Sequence, residues 1–187
     1  DLFRNVGSVC YPTDATQVEA PLLFNIQSGK THTTLLTGGL PYHRRHGLRK
    51  MDTLLLVPGE TARRFSIGVA LDPDDPVRAA LQWITPPVVL DCEKTLTRGG
   101  WLFHFDRRGI IANSWQPLIE DNRVVGVSVW LLETMGHHAA THLTAPREIT
   151  YAKLGEKEIE AAGDRVLLEL RPYSWRKLVL RFEGDGK

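Results

Sequence analysis

Cysteine is scarce in this chain, and the usual signatures of covalent chemistry are missing. Cys10 and Cys92 are the only two cysteines in 187 residues. They lie far apart, with no CxxC pair and no Cys/His spacing suited to zinc. One disulfide and two separate buried thiols both stay open, and the compartment with them. No serine sits in a G-x-S-x-G elbow and neither cysteine is flanked by an activating pattern, which removes the common signatures of nucleophilic catalysis. Gly38-Gly39 and Gly99-Gly100 read as turn glycines, not as a phosphate cradle. No apolar run approaches the roughly 20 residues that cross a bilayer, and the opening DLFRNVGSVCYP has neither a charged n-region nor a long h-region. Charge nearly cancels, 23 Lys+Arg against 22 Asp+Glu, so no overall basic field awaits nucleic acid. Neither nucleic acid nor membrane is an expected partner.

What is present is the material of a folded core. Apolar residues make up 42% and charged residues 24% of the chain, an ordinary globular balance. The dominant pattern has period two, as in strands with one buried face. Phe65, Ile67, Val69 and Leu71 share a face in RRFSIGVALD, as do Trp101, Phe103 and Phe105 in GGWLFHFD, and Val125, Val127, Val129 and Leu131 in RVVGVSVWLLE. Further strands are predicted in LLFNIQ, HTTLLT, MDTLLLV, GIIANS, ATHLTA, EITYAKL, DRVLLELRP and RKLVLRF. Pro58-Gly59, Asp106 to Gly109, LGEKE and AAGDR supply turns between them. The only helix-like window is DDPVRAALQWI, with Pro76 suited to a first turn after Asp74 or Asp75. The spacing therefore predicts an all-β chain, an antiparallel β-sandwich with few short helices. Two portions are expected, a sandwich over 1–117 with an irregular proline-rich loop at 72–90, and a C-terminal meander over 118–187, though one domain is also compatible.

Three constellations are candidates for chemistry. PYHRRHGLRKMDTLLLV gathers His43, Arg44, Arg45, His46, Arg49 and Lys50 just before an apolar run that reads as buried. In a strand the two histidines would face opposite sides, and the surrounding cations would repel a divalent metal. Arg forks and imidazoles suit an anion or sugar hydroxyls better, against the plain reading of a solvated rim. The second constellation is FHFD with GHHAATH: His104, Asp106 and His142 are the pieces of a two-histidine, one-carboxylate metal site. A turn-forming Asp106 and solvent-exposed histidines explain the same residues without metal. The third is the set of five tryptophans. Trp101 is in phase with a core face, whereas Trp83 and Trp115, in irregular segments, are the freer platforms for a sugar.

Two stretches resemble a known family. HTTLLTGGLPYHRRHGLRKMDTLLLVPGETARRFSIGVALD is similar to a strand-turn-strand segment in the β-rich C-terminal half of α-mannosidase-like enzymes of glycoside hydrolase family 38. VVGVSVWLLETMGHHAATHLTAPREITYAKLGEKEIEAAGDRVLLELRPYSWRKLVLRF resembles their closing segment, in Leu132-Glu133-Thr134 and then Leu170, Pro172, Leu178, Leu180 and Phe182. Together they cover a little over half of the chain, and they are patterns of packing residues. The resemblance implies a mutarotase-like or supersandwich type of β-sandwich, related to the layers that follow the catalytic barrel. In that family the zinc ligands and the aspartate nucleophile belong to the N-terminal catalytic domain. No catalytic or metal residue is therefore carried over, and no cofactor is expected in this chain. A start at Asp1 rather than Met fits a C-terminal piece whose partner is the catalytic domain of the same parent chain. YHRRHG then reads as a polar loop that docks on that domain or fringes its sugar cleft. The rival readings are a freestanding carbohydrate-binding module, needing exposed aromatics on one face, and a small metal-dependent enzyme built on His104, Asp106 and a later histidine.

Overall fold

The computed structural model describes residues 1–6, 9–47, 50–85, 88–89, 91 and 102–183. Among the described residues, strands account for 55% and a single short helix for 5%, in antiparallel sheets of sandwich-like arrangement. The all-β expectation is met. The chain divides into two compact units, Asp1–Val88 and Val89–Lys187.

The first unit begins with β1 (Leu2–Val6), β2 (Val9–Pro12), β3 (Gln17–Glu19), β4 (Leu23–Ser28) and β5 (Thr31–Leu36). After these come β6 (Tyr42–His46), β7 (Lys50–Thr53), β8 (Gly68–Leu71) and the helix α1 (Pro76–Ile84). A five-stranded sheet runs in the order β2-β1-β4-β5-β8, and a three-stranded sheet in the order β3-β6-β7. Alternation along β4 sends neighbouring residues to opposite faces, each with its own small core. Phe24 joins Leu2, Val18 and Ala20, while Leu23 joins Leu36, Val77 and Ala80. The last two belong to α1, whose start is as the sequence reading has it: Asp75 caps the helix by accepting from the Arg78 amide at 3.0 Å, and Pro76 occupies the first turn. The irregular loop expected at 72–90 thus contains a helix.

Three expectations for this unit are corrected. YHRRH is strand β6, not a loop; it pairs with β3 on one side and β7 on the other. The run Leu54–Val57 is not buried, because β7 ends at Thr53 and all four side chains are 40% to 60% exposed. In β8 the large residues face outward, with Val69 62% and Leu71 74% exposed. The covered side holds Gly68, where a β-carbon would sit 3.0 Å from Leu36 Cδ1 and 3.2 Å from Trp83 Cε2. The approach of α1 leaves that side room for small residues only.

The second unit contains β9 (His104–Phe105), β10 (Ile110–Glu120), β11 (Arg123–Glu133), β12 (Ala139–Thr144) and β13 (Ile149–Leu154). They are followed by β14 (Lys157–Glu158), β15 (Ala161–Ala162), β16 (Arg165–Leu170) and β17 (Trp175–Phe182). Its sheets run β10-β11-β17-β13-β14 and β15-β16-β12-β9. Here the in-phase apolar residues do form the core: Val127, Val129 and Leu131 of β11, Leu178, Leu180 and Phe182 of β17, and Val166, Leu168 and Leu170 of β16 join one continuous cluster, although Ser128 and Leu132, of the other phase on β11, are buried too. Phe103 and Phe105 pack against it. Trp101, Cys92, Arg49 and the Gly99-Gly100 pair lie outside the described residues.

The seam expected at Pro117 falls inside the β10–β11 hairpin, where Pro117 is opposite Val127. A proline is tolerated there because β10 is an edge strand. The strand also bulges between Asn113 and Gln116, with Ser114 at φ 49°. The hairpin closes on Asp121 and Asn122, both at positive φ, as a two-residue turn between twisted strands requires.

Candidate functional site

Strand β6 divides the cationic stretch between two environments. His43 points inward and is 4% exposed, its ring 4.8 Å from that of Phe24. Nε2 lies 3.1 Å from the Ala20 carbonyl, which can only accept, so Nε2 carries the proton and Nδ1 accepts from Thr53 Oγ1 at 3.0 Å. Burial lowers the His43 pKa from its ordinary value, opposed by the Ala20 and Leu40 carbonyls. His43 is a satisfied core histidine. Arg45, two residues on, donates from Nε to the Gly47 carbonyl at 2.9 Å and closes its own hairpin.

The outward residues answer why so much positive charge gathers here. Asp52 on β7 stands opposite Arg44. His46 Nε2 is 2.8 Å from its carboxylate, and Arg44 and Lys50 are each 3.8 Å from it. These side chains are 40% to 70% exposed, so screening leaves each pair worth little in stability. Registers from β3 to β7 place Gln17 and Glu19 beside Arg44 and Tyr42 on the same face. A cavity of about 600 Å³ opens there, lined by Tyr42, Arg44, Glu19, Asp52 and Arg4 among others. Tyr42 is 51% exposed. The lining therefore holds an aromatic ring, cationic donors and anionic acceptors, a set that suits a ligand rich in hydroxyls. Tyr42 and Asp52 escape a sequence search for cationic clusters. Their signal is alternation: Tyr42 shares the phase of Arg44 and His46.

The second unit brings together two of the three residues of the alternative metal set. Asp106 Oδ1 accepts from Thr141 Oγ1 at 2.6 Å and from the His142 amide at 2.9 Å, while Oδ2 is 3.0 Å from His142 Nδ1. The Thr141 hydroxyl first, and His142 next, hold the Asp106 pKa down at about 2. Its partners are long-range, not those of a turn, and they tie the end of β9 to β12. His104 stands opposite Thr144 instead. No group of three or more side chains able to hold a metal ion is found among the described residues. His142 lines a groove of about 730 Å³ with Leu167 and Glu169. Its chemistry is that of an imidazole oriented by a carboxylate.

Trp83 is 46% exposed, but it lies against Gly68, so it helps to cover the sheet. Trp115 is 57% exposed on the bulged part of β10. The Leu132-Glu133-Thr134 motif is structural here. Glu133 is 2% exposed, and its carboxylate accepts from the amides of Met135, Gly136 and Tyr173, each at 2.9 Å. Thr134 donates to the Gly109 carbonyl. A scan of the sequence against protein-family models finds no match, and a search of curated proteins finds none either.

Proposed function

We propose that this chain is a noncatalytic β-sandwich module of an α-mannosidase-like glycoside hydrolase, scaffolding the catalytic domain of its parent chain and contacting glycan through the β3-β6-β7 sheet. The observation that carries the reading is the cleft on that sheet, where Tyr42, Arg44, Glu19 and Asp52 line one cavity. A pyranose presents an apolar C–H face to an aromatic ring and hydroxyls to charged forks, and this lining holds both kinds of partner. The buried Glu133 staple gives the closing motif of the resemblance a physical role in holding the sandwich. Zinc belongs, on this reading, to the catalytic domain.

A freestanding carbohydrate-binding module is the second reading, favoured by the fact that every residue of the cleft comes from the first unit. Titration separates the two. Micromolar binding of a manno-oligosaccharide by the isolated chain supports the freestanding module, and binding only in the presence of the catalytic domain supports the scaffold. In either case Tyr42→Ala with Arg44→Ala weakens binding by about tenfold, on the scale of 1.4 kcal/mol per decade. Turnover of an aryl mannoside by the pure chain with added zinc overturns the noncatalytic reading.

A further inference from the structure

Two tryptophans of the second unit are left over by its packing. Trp130 is out of phase with Val127, Val129 and Leu131 on β11, and Trp175 is out of phase with Leu178, Leu180 and Phe182 on β17. Both therefore stand on the face of the five-stranded sheet turned away from the continuous core. The two strands are paired, with Trp130 opposite Lys177 and Leu132 opposite Trp175. This brings the indoles to a centroid distance of 6.4 Å, edge to face at 63°. They remain 40% and 45% exposed. On the other side of Trp130 is Asn113 of β10, exposed like Lys177. The pair is thus flanked in register by an amide and an ammonium group. Trp115, two residues beyond Asn113 on the bulged edge strand, adds a third exposed indole.

We infer that this face is a second saccharide-binding surface, on which a pyranose ring stacks its C–H face on the Trp130–Trp175 pair and turns its hydroxyls to Lys177 and Asn113. Size selects this occupant. With indoles of about 250 Å² each, the exposed fractions leave roughly 200 Å² of aromatic surface. A stable protein interface needs about 800 Å² per partner, whereas a single sugar ring is covered by an area of this order. The rim points the same way. Lys177 forms no ion pair among the described residues, and an ammonium group beside an aromatic face donates well to hydroxyl oxygens. The inference rests on reading the chain as a carbohydrate-contacting module, but it uses none of the residues of the β3-β6-β7 cleft.

Native gels cast with yeast α-mannan, hydroxyethylcellulose or alginate test it with the full 187-residue chain. Retardation is expected in at least one gel, and Trp130→Ala with Trp175→Ala reduces affinity at least tenfold. Trp130→Phe with Trp175→Phe, which keeps a smaller aromatic face, falls between. A urea midpoint within experimental error of the parent shows that the loss is not unfolding. Retardation unchanged by the tryptophan pair but lost in Tyr42→Ala with Arg44→Ala overturns this inference and leaves the cleft standing. The reverse pattern supports the inference and removes the cleft as the glycan contact. No retardation in any gel overturns both sites.

Discussion

The two units solve the burial problem differently. In the second, inward side chains from β11, β12, β13, β16 and β17 meet in one cluster. In the first, the five-stranded sheet buries small clusters on both of its faces, one against the three-stranded sheet and one against α1. A single thick core tolerates large residues in strict alternation. A sheet covered on both sides by small elements depends on glycine and alanine where those elements approach. Each unit also buries polar side chains with their partners supplied, Glu133 and His43 among them. Glu133 accepts from three backbone amides, and His43 bridges Ala20 and Thr53.

Removing Glu133 should be the most damaging change. Hydrogen bonds to a charged group contribute about 1.5–3 kcal/mol each, and Glu133→Ala leaves the amides of Met135, Gly136 and Tyr173 without that acceptor. Some of the loss is recovered by water, so destabilisation of about 4 kcal/mol is expected, with Glu133→Gln closer to 2. Urea unfolding followed by tryptophan fluorescence reads both. A change below about 1 kcal/mol for the alanine variant would mean that the carboxylate is not the staple of this unit.

Two glycines sharpen the contrast between the units. At Gly126 a β-carbon would lie 2.2 Å from the Leu180 carbonyl oxygen, on the backbone of a paired strand. At Gly68 it would meet the ends of Leu36 and Trp83 at 3.0 Å and 3.2 Å. Backbone inside a ladder cannot retreat, whereas side chains under a short helix can. Gly126→Ala is expected to cost about 3 kcal/mol and Gly68→Ala about 1, both as overpacking. Equal losses in thermal unfolding would show that the first unit is as rigidly packed as the second.

How much of this was readable beforehand follows the same division. In β11 the phase of Val127 to Leu131 marks the buried face correctly, whereas Trp130 and Trp175, which the structure leaves exposed, are not singled out from the sequence. In β8 the identical argument chose the wrong side. Alternation reports which residues share a face, but the covered face is set by where α1 lies, and that is a contact distant in sequence. The split of His43 from His46 was legible, yet which of the two is buried depends on the Phe24 ring of another sheet. Glu133 was visible within a turn motif. Its bond to the Tyr173 amide joins residues 40 apart, and no local pattern announces it.

The smallest effect concerns His43 and is read through pH. His43 has a folded pKa below the ordinary value, with burial as the main cause. Above about pH 6.5, the reference value for the unfolded chain, neither state takes up a proton there and its contribution is fully present. As pH falls below 6.5 the unfolded chain binds a proton that the folded chain refuses, so stability declines until the folded pKa is passed. His43→Gln keeps an amide donor for Ala20 and an acceptor for Thr53 but does not titrate. The difference in unfolding free energy between parent and variant should therefore hold level from pH 7.5 to about 6.5 and shrink from there to pH 5. Parallel curves across that range would show that the ring at position 43 takes up its proton without leaving its place between Ala20 and Thr53.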